Sequence, residues 1–185
     1  MTTQRSNLAN IDLEYGERPL ADVLDQIESW ATRAIDGVFL DRAPADLPHL
    51  GAVALAVRVS RRHELGRIVL NPGGPVDPRY RELDVEICTF AGDWGRYQRW
   101  SGEGSRPGDG HLVYAVPPAQ HDAAHRLIAW RGAGFALVTA APYPHDQGVP
   151  PRVFSTGWAA CCRWGRPGAP PHPHDHGVPH VVIAT

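Results

Sequence analysis

The chain has 185 residues, 18 basic against 20 acidic, and a formal net charge of −2, which points away from nucleic acid and anionic membranes. Every Lys-or-Arg position is arginine, which excludes a Schiff-base lysine, a phosphate-loop lysine and a Ser-Lys dyad. The three cysteines, Cys88 and the adjacent Cys161 and Cys162, suit reduced thiols better than a disulfide framework.

The length suits one domain with a sizeable core. Residues 1–7 lead into no long apolar run, so the sequence as written is expected to be cytoplasmic, or secreted if an upstream segment precedes it. No stretch is long and apolar enough to predict a membrane span.

Residues 8–13 alternate like a strand and end in a turn at 14–19, where Pro19 suits the first turn of a helix. Leu20, Val23, Leu24, Ile27 and Trp30 then recur at helical spacing to about Thr32. Residues 35–41 form the most telling stretch: a short apolar strand entered through Asp36-Gly37, closed by the carboxylate of Asp41 and stopped by Arg42-Ala-Pro44. Asp46 opens a second helix with Leu50, Val53, Ala54 and Val57 on its apolar face and a wet end at 58–63. Residues 66–71 predict another buried strand, cut by Pro72-Gly-Gly-Pro75, and residues 77–81 one helical turn.

Further strands are predicted at 83–90, 111–116 and 134–139, with helices at 93–100 and 117–131 and a Gly/Ser/Pro loop at 101–110. Leu127, Ile128 and Trp130 mark the apolar face of the second of these helices. Six strands alternating with helices predict an α/β fold with a parallel sheet. Beyond Ala141 Pro and Gly dominate, and 144–150 recurs loosely as 173–179; two copies are too few for a solenoid. A domain over 1–158 and a disordered tail over 159–185 are expected.

If the sheet curls into a barrel, the strand ends converge on one mouth. They carry Asp12 and Glu14, Asp41, Asn71, Ala91 with Asp93, Tyr114 and Thr139, a set suited to a polar, uncharged ligand such as a sugar. Trp94, Tyr97 and Trp100 follow one strand end and offer faces for a sugar ring; the competing reading is packing on the outside of the barrel. The Gly-rich turn at 72–75 lacks the lysine and the spacing of a phosphate loop. His172, His174, His176 and His180, with Asp175 and the tail thiols, match no structural zinc spacing, so no metal or other cofactor is assigned.

Asp12-Leu-Glu-Tyr-Gly-Glu-Arg18, Asp36-Gly-Val-Phe-Leu-Asp41, Val69-Leu-Asn-Pro-Gly73, Thr89-Phe-Ala-Gly-Asp-Trp94, His111-Leu-Val-Tyr114 and Val138-Thr139 follow one another in order. In this they resemble the successive strand-end motifs of spherulin-4-like proteins, from about residue 8 to 158. The resemblance implies a (β/α)8 barrel related to glycoside hydrolases that act on galactosaminogalactan-type polysaccharides. It implies Asp41 as one catalytic carboxylate, with Tyr15, Asn71, Tyr114 and other polar rim groups supporting a polysaccharide or oligosaccharide ligand.

Two departures stand beside the match. The family's Asp-Glu pair reads Asp41-Arg42 here, and its Phe-Glu-Gly motif reads Phe90-Ala91-Gly92. Glycoside hydrolysis generally uses two carboxyl groups. Asp93 and Asp12 are the substitutes to weigh, and a non-catalytic glycan-binding pseudoenzyme is the alternative function. The match also begins at the third of eight strands, so the first two βα units are expected to be missing. That leaves open sheet edges through which copies of the chain can associate.

Overall fold

The computed structural model describes residues 7–142 of the chain. The boundary at 158, the tail and its histidines, and the recurring Pro-His-Asp segments lie outside these residues. Six strands are described: β1 (Leu8–Asp12), β2 (Gly37–Asp41), β3 (Arg67–Asn71), β4 (Glu86–Asp93), β5 (Gly110–Tyr114) and β6 (Phe135–Val138). They pair in sequence order, every neighbour parallel. Helices α1 (Leu20–Ala31), α2 (Leu50–Arg62), α3 (Trp94–Arg99) and α4 (His121–Trp130) fall in four of the five crossovers. A longer 3₁₀ segment, Pro78–Leu83, occupies the crossover from β3 to β4. The architecture is that of an incomplete (β/α)8 barrel, and β1 and β6 each have one neighbour among the described residues.

The sheet is curled. Arg67 on β3 holds its guanidinium 5.8 Å from the ring of Phe135 on β6. Three strand intervals in a flat sheet would separate them by about 14 Å. Inside the curl lie Leu8, Phe39, Val69, Cys88, Ala91, Leu112, Tyr114, Phe135 and Leu137. Outside it, Ile11, Val38, Leu40, Ile68 and Leu70 meet Val23, Ile27, Val53 and Val57 of α1 and α2. Phe90, Val113 and Ala136 meet α3 and α4. The period of two along each strand sends alternate residues to these two layers, and each fully buried large side chain stabilises the fold by about 1.5–3 kcal/mol. At Gly37 a Cβ would lie 1.8 Å from the carbonyl oxygen of Arg67, so only glycine lets β2 and β3 approach.

Several predicted boundaries shift. The strand expected at 83–90 is Glu86–Asp93. Asp77 accepts a hydrogen bond from the Arg79 amide and caps a 3₁₀ run that lasts to Leu83, and Asp84 then turns the chain at φ +52°. The second helix starts at Leu50 rather than Asp46, after a 3₁₀ turn built on Leu47-Pro-His49. On α4 the buried face is His121, Ala124 and Ile128, whereas Trp130 is 81% exposed. Of the predicted apolar face, Ile128 and Leu127 pack into the core and Trp130 alone turns outward.

A polar chain runs through the outer layer beneath α3. Thr89 donates to Ser105 Oγ at 2.9 Å; Ser105 Oγ lies 3.0 Å from His111 Nε2, and Tyr97 Oη 2.8 Å from His111 Nδ1. His111 and Tyr97 are fully buried. Loss of water pushes the imidazole down to about 4 and the phenol up to about 12. No helix among the described residues is long and apolar enough to cross a membrane.

Candidate functional site

Strand register alone builds the rim. Asp12 on β1 is the partner of Asp41 on β2, which is the partner of Asn71 on β3, and Asp93 on β4 is the partner of Tyr114 on β5. These residues end strands that run the same way, so they share the carboxyl edge, where open and closed α/β sheets bind ligands. The loops above are stitched to that edge: Leu13 N donates to Asp41 O, Ala43 N to Asn71 O and Tyr15 N to Arg42 O, at 2.7–3.0 Å.

Asp41 and Asn71 are both 2% exposed. Asn71 Nδ2 donates to Asp41 Oδ1 at 2.8 Å, and the Arg42 amide donates to the same oxygen at 2.9 Å. Asn71 Oδ1 is buried without a hydrogen-bond partner, an acceptor ready for an incoming O–H or N–H. Beside it a cavity of about 240 Å³ is lined by Tyr15, Asn71, Pro72, Gly73, Ala91 and Arg96. Gly73 sits at φ +68°, and a Cβ there would meet the methyl of Ala91 at 3.4 Å.

Arg42 dominates the mouth. Its Nε donates to both oxygens of Asp12 at 2.9 and 3.0 Å, and its Nη2 bonds Asp12 Oδ2 as well. The guanidinium is 4.0 Å from Glu14 and 5.8 Å from the centre of the Tyr15 ring. The Asp12 hydrogen bonds hold its pKa above the ordinary arginine value. Arg42, Glu14 and Tyr15 all have left-handed backbones, with φ of +43°, +48° and +56°. Such conformations in non-glycine residues cost energy and collect at functional sites.

The other predicted residues divide. Tyr15 lies over the mouth with 54% of its surface exposed. Tyr114 ends β5 with its side chain in the inner cluster. Thr139, just past β6, uses its hydroxyl locally, accepting from the Ala141 amide at 3.1 Å. Asp93 ends β4, and its Oδ1 caps α3 by accepting from the Arg96 amide at 2.7 Å.

Trp94 is a correction. Its ring is 6% exposed in the layer under α4 and its Nε1 donates to Gln120, so it offers no stacking face at the rim. Tyr97 is packed beside it, and Trp100 is partly buried against the same cluster. The cause is an irregularity of register between Cys88 and Phe90, which turns Phe90 outward and Ala91 inward and carries the aromatics outward with Phe90. Arg96 and Gly73 were not among the predicted site residues. The glycines at 73–74 were the available signal for Gly73; an arginine in a short helix gave none.

A model of spherulation-specific family 4 matches residues 5–162. The chain belongs to that family. Among solved structures, this family member is similar to the crystal structure of Aspergillus clavatus Sph3 in complex with GalNAc, at 21% identity and a TM-score of 0.61. The superposition covers 73% of this chain and 64% of that one, so the chain spans under two thirds of its structural neighbour. The likeness establishes a shared fold. No curated protein matches the sequence.

Proposed function

We propose that this spherulation-family domain binds a glycan at its carboxyl edge and does not hydrolyse it. The observation that carries the reading is the bidentate engagement of Asp12 by Arg42. Adjacent parallel strands place Asp12 and Asp41 side by side, about 5 Å apart at their backbones, and glycoside hydrolysis generally uses two carboxyl groups. Arg42 takes the first of those carboxylates out of play. Asp93 is committed to capping α3, and position 91 carries a methyl group in place of an acid. Asp12, Asp93 and position 91 then supply Asp41 with no acid or base, and that help is worth about 10²–10⁴ in rate.

Binding has separate support. The Sph3 neighbour was crystallised with GalNAc, the family resemblance points to polysaccharides, and the cavity beside Asn71 is lined by polar groups suited to hydroxyls. Two measurements test the proposal: calorimetric titration with N-acetylgalactosamine oligomers, and release of reducing ends from the same oligomers. Binding without turnover is expected. Turnover that disappears in Asp41→Asn would restore the hydrolytic reading, with Asp41 as one catalytic carboxylate.

A further inference from the structure

Resting on the glycan cleft just proposed, we infer that Asp41 is a positioning residue: it turns the side-chain amide of Asn71 so that Oδ1 faces the cavity and meets a ligand donor there. The cavity treats the two side chains differently. Its lining among the described residues includes Asn71 and not Asp41, and only 2% of the Asp41 surface is exposed. Asp41 therefore acts on a ligand in the cavity through Asn71.

The backbone brings the pair together. Asp41 and Asn71 are register partners at the ends of adjacent parallel strands, so their side chains share one face of the sheet. Leu13 N donates to Asp41 O and Ala43 N to Asn71 O, at 2.9 and 3.0 Å, which ties both carbonyls to the loops above. Asp41 Oδ1 then accepts from Asn71 Nδ2 at 2.8 Å and from the Arg42 amide at 2.9 Å.

Donor and acceptor chemistry fixes which way the amide points. An ionised carboxylate only accepts hydrogen bonds, and a backbone N–H only donates. The last torsion of an asparagine has two comparable wells half a turn apart. In one well Nδ2 meets Asp41; in the other Oδ1 would face a carboxylate oxygen across the same 2.8 Å. Asp41 empties the second well and leaves Oδ1, buried without a partner, as the cavity's acceptor. With an apolar side chain at position 41 the preference reverses. Nδ2 would then be buried unpaired beside it, so the amide would turn its donors to the cavity. A ligand donor would meet a donor, and affinity would fall with the fraction of molecules still turned the right way.

The test is a double-mutant cycle on the full chain, read by calorimetric titration with N-acetylgalactosamine oligomers. Asp41→Leu and Asn71→Ala should each weaken binding by about tenfold, and the double variant should bind no more weakly than Asn71→Ala alone. Asp41→Asn, whose side-chain oxygen still accepts from Nδ2, should recover binding to within about threefold of the unaltered chain. By NMR, an Asn71 Nδ2 proton should exchange slowly in the unaltered chain and in Asp41→Asn, and quickly in Asp41→Leu. Additive losses in the cycle, or a greater loss in a folded Asp41→Asn, overturn the inference and leave the glycan cleft standing. Asp41→Asn decides the matter should Asp41→Leu fail to fold. If the unaltered chain binds no oligomer, the cleft itself is refuted and this role of Asp41 with it.

Discussion

Acid should unfold this domain partly through one histidine. His111 is fully buried between Tyr97 and Ser105, and burial pushes it down to about 4. In the unfolded chain it titrates near 6.5. The unfolded state therefore binds the extra proton first, so this contribution is complete above pH 6.5 and is lost as pH falls toward 4. A gap of about 2.5 units at 1.36 kcal/mol each gives about 3 kcal/mol in all, of which about 2 kcal/mol is gone by pH 5. Urea midpoints followed by tryptophan fluorescence from pH 7.5 to 4 would measure it. Carboxylates titrate in the lower half of this range too, and half-buried His125 is shifted down as well. The decisive quantity is therefore the difference between the unaltered chain and His111→Gln. That difference should shrink by about 2 kcal/mol between pH 7.5 and 5, roughly 1 M in urea midpoint. A difference that stays constant with pH, or a His111 resonance titrating near 6.5 in the folded protein, refutes the reasoning.

Gly37→Ala should cost at least about 2–4 kcal/mol, because the new methyl lands on the Arg67 carbonyl and forces β2 from β3; thermal unfolding reads it. Phe39→Ala opens a cavity at the middle of the inner cluster, and chemical denaturation should show a loss of about 3–5 kcal/mol. Asp109 is 5% exposed and accepts from Arg81 at 2.7 and 2.9 Å and from the Arg106 amide at 2.8 Å. Asp109→Asn leaves the part-buried Arg81 charge poorly matched, so a loss of about 1–3 kcal/mol is expected, with heightened proteolysis in the 101–110 loop as a second readout.

What the sequence determined by itself was the succession of elements and their shared direction. Strand-length apolar runs such as Gly37–Asp41 and Arg67–Asn71, separated by helical periods, admit little other than a parallel sheet. A parallel sheet puts Asp12, Asp41, Asn71, Asp93 and Tyr114 on one edge whatever the details of packing, because each ends its strand. The rim was legible for that reason.

The tertiary structure decided what each rim residue does. Asp12 and Arg42 are 30 positions apart, and only the pairing of β1 with β2 makes them an ion pair. Nothing in local sequence distinguishes an arginine free to meet a ligand from one paired with a carboxylate of its own chain. The irregular register in β4 likewise exchanged the faces of Phe90 and Ala91, turning the aromatics from a stacking platform into core and setting Ala91 in the cleft. A one-residue slip inverts every later side chain of a strand, and it leaves no mark on hydrophobic pattern until the neighbouring strands fix it.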